Sequence, residues 1–198
     1  MTRQFETAPT SVPNIRKAVL SLILPIKSDK TLKIIDAGCG KGELASALAR
    51  SGHEVICADI MNNLSPASGL EFRQADFNRR LPFQDCCFDI VVCTEVIEHL
   101  ENPRHVMREF KRIVKNGGSI IISMPNVLHP VGKLYFLLTG HLYGFSHKQY
   151  MLNGHISPVS IHDMKQICGE LELKIEKVRY NGIGKGVVIF KIRKQTQQ

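Results

Sequence analysis

The sequence predicts an α/β fold in which a mostly parallel sheet is covered by helices, and two observations support this. From Leu32 onward, short apolar runs rich in β-branched residues alternate with stretches whose apolar residues recur at helical spacing. The run FDIVVC at 88–93 is apolar almost throughout, as expected of a strand buried on both faces. With 198 residues, the chain is long enough for one domain with a sizeable core and short for two.

Seven strands are predicted within a single domain at 14–198, preceded by a polar, proline-containing flexible arm at 1–13. The predicted strands are LKIIDA at 32–37, EVICA at 54–58, LEFRQA at 70–75, FDIVVC at 88–93, SIIISM at 119–124, LKIEKVR at 173–179 and GVVIFKI at 186–192. The turn between the last two is short, which predicts an antiparallel hairpin.

Helices are predicted between these strands from apolar spacing and capping residues. They cover 14–26 and 43–50, then a stretch that begins at Pro103 behind an Asn102 cap and ends at the glycines of 116–118, and one that begins at Ser157-Pro158.

The stretch 125–156 is aromatic and punctuated by glycines, and its length favours a lid or a small helical insert over a plain loop. Its aromatic residues either shape an apolar acceptor pocket or pack the insert on the core, and the sequence leaves both interpretations open. Those residues are Tyr135, Phe136, Tyr143 and Phe145, together with the apolar Leu137.

A glycine-rich turn follows the first strand in the motif IIDAGCGKG. Glycines at 38, 40 and 42 allow a sharp turn and close backbone contact with a ligand, which predicts a nucleotide-like ligand at the carboxyl end of the strand. The third glycine comes one position too early for the dinucleotide fingerprint. Asp36 would repel a pyrophosphate, and it suits a ligand that carries an ammonium and a sulfonium.

Acidic residues follow the next three strands. Asp59 ends the second strand and can accept hydrogen bonds from both hydroxyls of a ribose. Asp76 can accept from an adenine amino group, and the backbone of Phe77 can serve the ring edge. Glu95 follows the fourth strand in CTEVIEHL. Because parallel strands end at one edge of a sheet, we expect these residues to converge on one crevice.

The order of these motifs resembles the class I S-adenosylmethionine-dependent methyltransferases, and within them the small-molecule branch that includes the ubiquinone- and menaquinone-biosynthesis type. The resemblance rests on D-x-G-x-G-x-G, the acid after strand two, Asp-Phe after strand three and E-V-I-E-H-L after strand four, and it covers about residues 30–125. It implies a Rossmann-like three-layer sandwich with a seven-stranded sheet in the order 3-2-1-4-5-7-6, strand 7 being antiparallel.

The resemblance also implies S-adenosyl-L-methionine as the cofactor and assigns residues to it. The implied cofactor-binding residues are Asp36, Gly38, Cys39, Gly40 and Gly42 along the methionine side, Asp59 and Ile60 at the ribose and adenine, Asp76 and Phe77 at the adenine edge, and Glu95 near the methionine end.

Methyl transfer from a sulfonium is an in-line displacement that depends mainly on alignment, which can supply about 7–11 kcal/mol. A general base is needed only when the acceptor must lose a proton. The candidate bases are His155, which precedes a predicted helix, and His99, for which a structural role beside a backbone carbonyl or Glu98 is the alternative. No metal site is expected, since none of the six cysteines has C-x-x-C spacing.

The predicted function is methylation of a small-molecule acceptor such as a quinone-type ring, a glycan precursor or another metabolite. The net charge of +8 keeps RNA or protein as an alternative acceptor, but no basic–aromatic stripe favours nucleic acid. A non-catalytic S-adenosylmethionine-binding protein is a further alternative. Unpaired cysteines, the lack of a signal-peptide pattern and the lack of an apolar run of membrane-spanning length predict a cytoplasmic protein.

Overall fold

The computed structural model describes residues 13–24, 31–182 and 185–196, and it shows seven strands in one sheet. The strands are β1 Lys33–Ala37, β2 Glu54–Asp59, β3 Glu71–Gln74, β4 Phe88–Thr94, β5 Val114–Pro125, β6 Leu173–Asn181 and β7 Val187–Lys194. Their order is β3-β2-β1-β4-β5-β7-β6, and β7 is antiparallel to both of its neighbours. The predicted fold class and strand order are therefore confirmed.

Six helices accompany the sheet within the described residues. They are α1 Pro13–Ile23, α2 Glu43–Arg50, α3 Pro103–Ile113, α4 Pro130–Thr139, α5 His147–Asn153 and α6 Ile161–Glu170. In this part of the chain, no helix combines the length and the apolar character needed to cross a bilayer. The predicted arm lies, apart from Pro13, outside the described residues, and so do positions 25 and 26 of the first predicted helix.

The core lies on the two faces of the sheet, because the central strands are buried on both sides. One cluster joins α1 and α2 to β1 and β2 through residues such as Val19, Leu48 and Ile34. The opposite cluster joins α3 and α6 to the sheet through residues such as Phe110 and Met164. Burial of apolar side chains on both faces is the main stabilising contribution to this three-layer arrangement.

Two predicted helix boundaries were wrong. The last helix begins at Ile161 because Ser160 caps it: the Ser160 hydroxyl accepts from the backbone of Asp163, whose carboxylate accepts in return from the Ser160 backbone. Ser157 instead donates to the backbone carbonyl of Leu100. The glycines of 117–118 do not end α3 but lie inside β5. A side chain at Gly118 would place its Cβ 2.8 Å from the Asp89 carbonyl oxygen of β4.

A buried ion pair attaches α3 to the loop before β4. Glu109 accepts from Arg112 at 2.6 Å and from the backbone N–H of Leu81 at 2.8 Å, and Arg112 also donates to the carbonyl of Phe83 at 2.7 Å. The Arg112 guanidinium lowers the pKa of the Glu109 carboxyl. Since a depressed folded-state pKa stabilises the fold only while the carboxyl is ionised, this contribution is lost as pH falls through that pKa.

We expect Glu109→Gln to lower the free energy of unfolding at pH 7 by about 1–3 kcal/mol, because the amide removes the buried one of the two carboxylates that Arg112 contacts and leaves only the exposed Asp85. The deficit relative to wild type should shrink below about pH 4, where the wild-type carboxyl is protonated as well. Urea unfolding at pH 7 and below about pH 4 measures this difference in the free energy of unfolding. The matched control is Glu172→Gln, which removes an exposed partner of Lys111 on the same helix and should cost less than about 0.5 kcal/mol. Equal losses in the two variants would contradict this prediction.

Candidate active site

The glycine turn after β1 is closely packed at its start and open at its middle. The backbone N–H of Gly38 donates to the Ala58 carbonyl of β2 at 2.8 Å, and a Cβ on Gly38 would lie 2.2 Å from Cγ2 of Val96. By contrast, no atom lies within 4 Å of the position that a Cβ on Gly40 would take. The turn therefore presents bare backbone to open space at Gly40, which is the arrangement that a closely bound ligand requires.

Asp59, the last residue of β2, is fixed against this turn. Its Oδ2 accepts from the backbone N–H of Gly40 at 2.9 Å, and its Oδ1 accepts from the N–H of Ile60 at 2.7 Å. Each carboxylate oxygen can accept a second hydrogen bond, so the group retains capacity for two further donors. The Ile60 side chain beside it is 55% exposed. The structure thus brings Asp59, Ile60 and Gly40 together.

Asp36 lies below the turn and is almost fully buried. Its Oδ2 accepts from the backbone N–H of Ala45 in the first turn of α2 at 3.1 Å. The cap position of α2 is Gly42, which has no side chain to do this, so Asp36 supplies the missing acceptor from β1. Burial raises the pKa of Asp36 to about 7; the Ala45 hydrogen bond opposes this rise, and the nearby Asp59 adds to it.

Cys39 and Phe77 direct their side chains away from the crevice. The Cys39 side chain belongs to the buried cluster beneath α2, where its thiol lies against Cys57 and its pKa is raised. The Phe77 ring is buried and packs edge-on against Phe110, with the ring centroids 6.2 Å apart. Since both side chains are buried, any contact of these residues with a ligand would be made by the backbone.

Asp76 follows β3 at the same edge of the sheet. Its Oδ1 accepts from the backbone N–H of Asn78 at 2.9 Å, and its Oδ2 lies 3.2 Å from the exposed Arg79. The side chain of Gln74, also at this edge, donates to the carbonyl of Ile60 at 3.0 Å. This hydrogen bond joins the ends of β2 and β3, a link that the sequence analysis did not identify.

Glu95 follows β4 with a backbone φ of +53°, a conformation that is uncommon for a residue with a side chain. Ser123 of β5 holds it there: the Ser123 hydroxyl donates to the Glu95 carboxylate at 2.7 Å, and the Ser123 carbonyl accepts from the Glu95 N–H at 3.1 Å. Burial raises the pKa of Glu95, and the Ser123 hydroxyl opposes that rise. Ser123 was missed because it sits in the apolar run SIIISM, which gave no signal beyond strand structure.

His99 and His155 are adjacent in the structure although 56 positions separate them in the sequence. Their rings meet edge-to-face with centroids 4.9 Å apart. The carbonyl of Glu98 accepts from the backbone N–H groups of Ile156 at 2.9 Å and Ser157 at 3.0 Å, which fixes the segment after α5 against the turn that carries His99. Burial lowers the pKa of both histidines, so both rings are neutral at physiological pH.

Glu98 precedes His99 in the short 3-10 turn Ile97–His99, and its side chain is buried. Its Oε2 is buried without a hydrogen-bond partner. Burial, together with the charge of Glu95, raises the pKa of the Glu98 carboxyl well above its usual value. The sequence indicated for Glu98 only the role of a structural partner of His99.

The segment 125–156 forms two helices, α4 and α5, and its aromatic residues divide into two groups. Phe145 contacts the ring of His155 with centroids 5.3 Å apart, and Tyr143 instead contacts Tyr135. Phe136 is 46% exposed and so does not pack on the core. Packing against the core therefore does not account for the aromatic set as a whole, and Phe145 is the member placed beside the candidate catalytic histidines.

Comparison with known proteins finds similar methyltransferases. Residues 35–122 match the methyltransferase domain family. The ubiquinone biosynthesis O-methyltransferase of Pseudomonas syringae pv. tomato is 31% identical over 153 residues, which cover 71% of this chain and 60% of that protein. The chain thus spans less than two thirds of that relative's length.

Solved structures agree with the fold. An S-adenosylmethionine-dependent methyltransferase from Mesorhizobium loti superposes with a TM-score of 0.69 at 14% identity, covering 87% of this chain and 95% of that one. The magnesium protoporphyrin IX methyltransferase of Synechocystis PCC 6803, solved with bound SAH, gives a TM-score of 0.69 at 18% identity, covering 90% of this chain and 81% of that one.

Proposed function

We propose that this chain, which belongs to the class I S-adenosylmethionine-dependent methyltransferases, transfers the methyl group of S-adenosylmethionine to a small-molecule acceptor. The observation that carries the proposal is the open turn at Gly40 with Asp59 bonded to its backbone. An adenosine ligand needs bare backbone to lie against and a carboxylate that can accept from two hydroxyls, and these residues supply both.

The residues of this crevice fit S-adenosylmethionine along its length. Asp59 accepts from the ribose hydroxyls, Ile60 covers one face of the adenine, and Asp76 with the Phe77 backbone contacts the adenine edge. Asp36 and Glu95 provide carboxylates near the methionine end, where the ligand carries its two positive charges. When bound, S-adenosylmethionine supplies a methyl group on a positively charged sulfur, which is a good leaving group.

The acceptor lies on the side of the crevice formed by the turn after β4 and by the segment after α5. His99, His155 and Phe145 meet there, and the Pseudomonas syringae relative named above is a ubiquinone biosynthesis O-methyltransferase. A hydroxyl on an aromatic or quinone-type ring fits this position, because Phe145 offers an apolar face and a neutral histidine can accept the hydroxyl proton.

The cellular compartment and the class of acceptor are proposed partly from the composition of the chain. All six cysteines are free, which suits a reducing compartment, and we therefore place the protein in the cytoplasm. The net charge of +8 keeps RNA or protein as a second acceptor class. We favour a small molecule because the relatives' names point to one.

Calorimetry with S-adenosylmethionine and with NAD tests the cofactor, and we expect binding of the first alone. Transfer of labelled methyl from S-adenosylmethionine into cell extract, separated into RNA, protein, lipid and soluble pools, then tests the acceptor. Label should enter the small-molecule or lipid pools. Preference for NAD would overturn the proposal, and label confined to RNA or protein would replace its acceptor class.

A further inference from the structure

Two nucleophilic side chains meet at the edge of the sheet that lies opposite the crevice. Nζ of Lys194, at the end of β7, lies 3.4 Å from Sγ of Cys86, in the loop before β4, although 108 positions separate the two residues. Because β7 is antiparallel to β5, it ends at the edge where the parallel strands begin. The pair is therefore remote from the carboxyl ends of β1 to β4, where cofactor and acceptor are proposed to bind.

We propose that Cys86 and Lys194 form a modification site, at which hydrogen peroxide joins the cysteine sulfur to the lysine nitrogen in a covalent cross-link. The linkage ties the end of β7 to the loop before β4. The inference does not rest on the proposed function, because neither residue belongs to the crevice.

The first support is that the fold holds both groups on the same short stretch of backbone. The N–H of Cys86 donates to the carbonyl of Arg112 at 2.9 Å, and Nζ of Lys194 donates to the carbonyl of Val114 at 2.9 Å. Groups that are already held in contact react much faster than groups that meet by diffusion, because the entropy of association has been lost beforehand. The sulfur and the nitrogen are thus in reach of each other before an oxidant arrives.

The second support is the choice of partner by the ammonium. Within the described residues, Lys194 forms no ion pair with a carboxylate, and its side-chain partners are the Cys86 sulfur and the Val114 carbonyl. Its neighbours on β7 differ, since Lys191 and Arg193 both pair with Glu176. The amine of Lys194 is therefore not held away from the sulfur by a competing anion.

The third support is access. Of the six cysteines, Cys86 is the exposed one, and the adjacent Cys87 is half-buried. Cysteines that react with oxidants are accessible thiols beside cationic groups, whereas buried thiols are inert. Cys86 meets both conditions, so an oxidant in solution reaches this sulfur before the others.

The reaction balances with one molecule of hydrogen peroxide. The Cys86 thiolate attacks one peroxide oxygen, the O–O bond breaks and hydroxide leaves, which gives a sulfenic acid. The hydroxide takes a proton from the Lys194 ammonium and becomes water. The freed amine then attacks the sulfur: the S–N bond forms, the S–O bond breaks, and the sulfenic hydroxyl leaves as a second water with one amine proton. The sulfur has lost two electrons, and two equivalents of a thiol restore both side chains by forming a disulfide.

The cross-link should stabilise the fold without changing the crevice. It joins residues 108 positions apart, and a link that closes a long loop restricts mainly the unfolded chain. We expect the melting temperature to rise by at least about 3 °C after oxidation and to return when dithiothreitol is added. The Kd for S-adenosylmethionine should stay within about twofold, because the link lies at the opposite edge of the sheet.

The test is treatment of the full chain with hydrogen peroxide, followed by proteolysis and mass spectrometry. We expect the peptide containing Cys86 joined to the peptide containing Lys194, with a total mass lower by two hydrogens. Cys86→Ser should abolish this product. Lys194→Arg keeps the positive charge but removes the amine, so it should leave a sulfenic acid at Cys86 that dimedone labels. The control Lys177→Arg, which changes an exposed lysine of the neighbouring β6, should form the product as wild type does.

Three results would overturn the inference: no oxidation at Cys86, a product in which Cys86 is joined to Cys87 instead, or equal dimedone labelling in wild type and Lys194→Arg. Calorimetry with S-adenosylmethionine before oxidation reports on the proposed function alone. A chain that forms the cross-link but does not bind S-adenosylmethionine would uphold the modification site and contradict the proposed function.

Discussion

Replacing Asp59 with alanine should raise the Kd for S-adenosylmethionine about 100-fold. The carboxylate is placed to accept from two ribose hydroxyls, and each hydrogen bond to a charged group contributes about 1.5–3 kcal/mol. Loss of the pair, partly offset by water, corresponds to about 3 kcal/mol, or about 100-fold in affinity. The variant also removes the acceptor for the backbone N–H groups of Gly40 and Ile60, which loosens the turn. Calorimetry measures the change.

Two further variants separate ligand contact from support of the fold. Asp59→Asn keeps one acceptor oxygen and should lie between wild type and Asp59→Ala. Glu71→Ala removes a carboxylate from the neighbouring strand, where its partner is the exposed Arg73, and should leave the Kd unchanged. A change below about threefold in folded Asp59→Ala, with its melting temperature preserved, would show that Asp59 does not contact the ligand.

The seven strands and the ligand-binding edge followed from the residues, because each strand carries its own signal, whereas the order of the strands in the sheet came from the resemblance. Continuous apolar runs such as FDIVVC mark strands buried on both faces, and acids such as Asp59 mark their carboxyl ends. These are local features. The antiparallel pairing of β6 with β7 followed from their short turn, whereas the placement of β7 between β5 and β6 came from the resemblance, since sequence periodicity does not determine which strands pair.

Features that depend on contacts between distant segments were not predicted. Ser160, and not Ser157, caps α6. Asp163 completes a capping box with Ser160, and the Ser157 hydroxyl donates instead to the Leu100 carbonyl. The proximity of His155 to Glu98 depends on how the segment after α5 returns to the sheet. The spacing of residues along the chain does not show where a segment folds back onto the sheet. His99 and His155 were therefore predicted as two separate candidate bases and not as neighbours.

Asp36 shows how burial gives a residue a role that its position in a motif does not specify. The sequence indicated a carboxylate beside a cationic ligand, and the structure adds that this carboxylate is buried and accepts from Ala45 of α2. The pKa of Asp36 is raised to about 7 in the folded chain. Between about pH 4 and pH 7, the folded chain therefore keeps a proton on this carboxyl that the unfolded chain has already released. This group therefore lowers the stability of the ligand-free fold as pH rises from about 4 to 7.

The affinity for S-adenosylmethionine should consequently rise with pH. A ligand with an ammonium and a sulfonium prefers ionised Asp36, so below the folded-state pKa each molecule bound must first displace a proton. Between pH 7.5 and pH 5.5, we expect the Kd to increase at least about tenfold, because the ionised fraction of a carboxyl with a pKa near 7 falls about tenfold for each pH unit below that pKa. Calorimetry in two buffers of different ionisation enthalpy should detect the released proton near pH 6.

Asp36→Asn isolates this contribution, because the amide oxygen can still accept from Ala45 while the titrating group is gone. The Kd of this variant for S-adenosylmethionine should be higher than that of wild type at pH 7.5 and should change less with pH. Glu95 and Glu98, whose pKa values are also raised, and the two histidines still titrate in the variant, so only the difference from wild type reports on Asp36. Adenosine carries neither positive charge, and its affinity should change less than about twofold over this range. A pH profile of Asp36→Asn that parallels wild type would assign the proton to one of those other groups and leave Asp36 with its capping role alone.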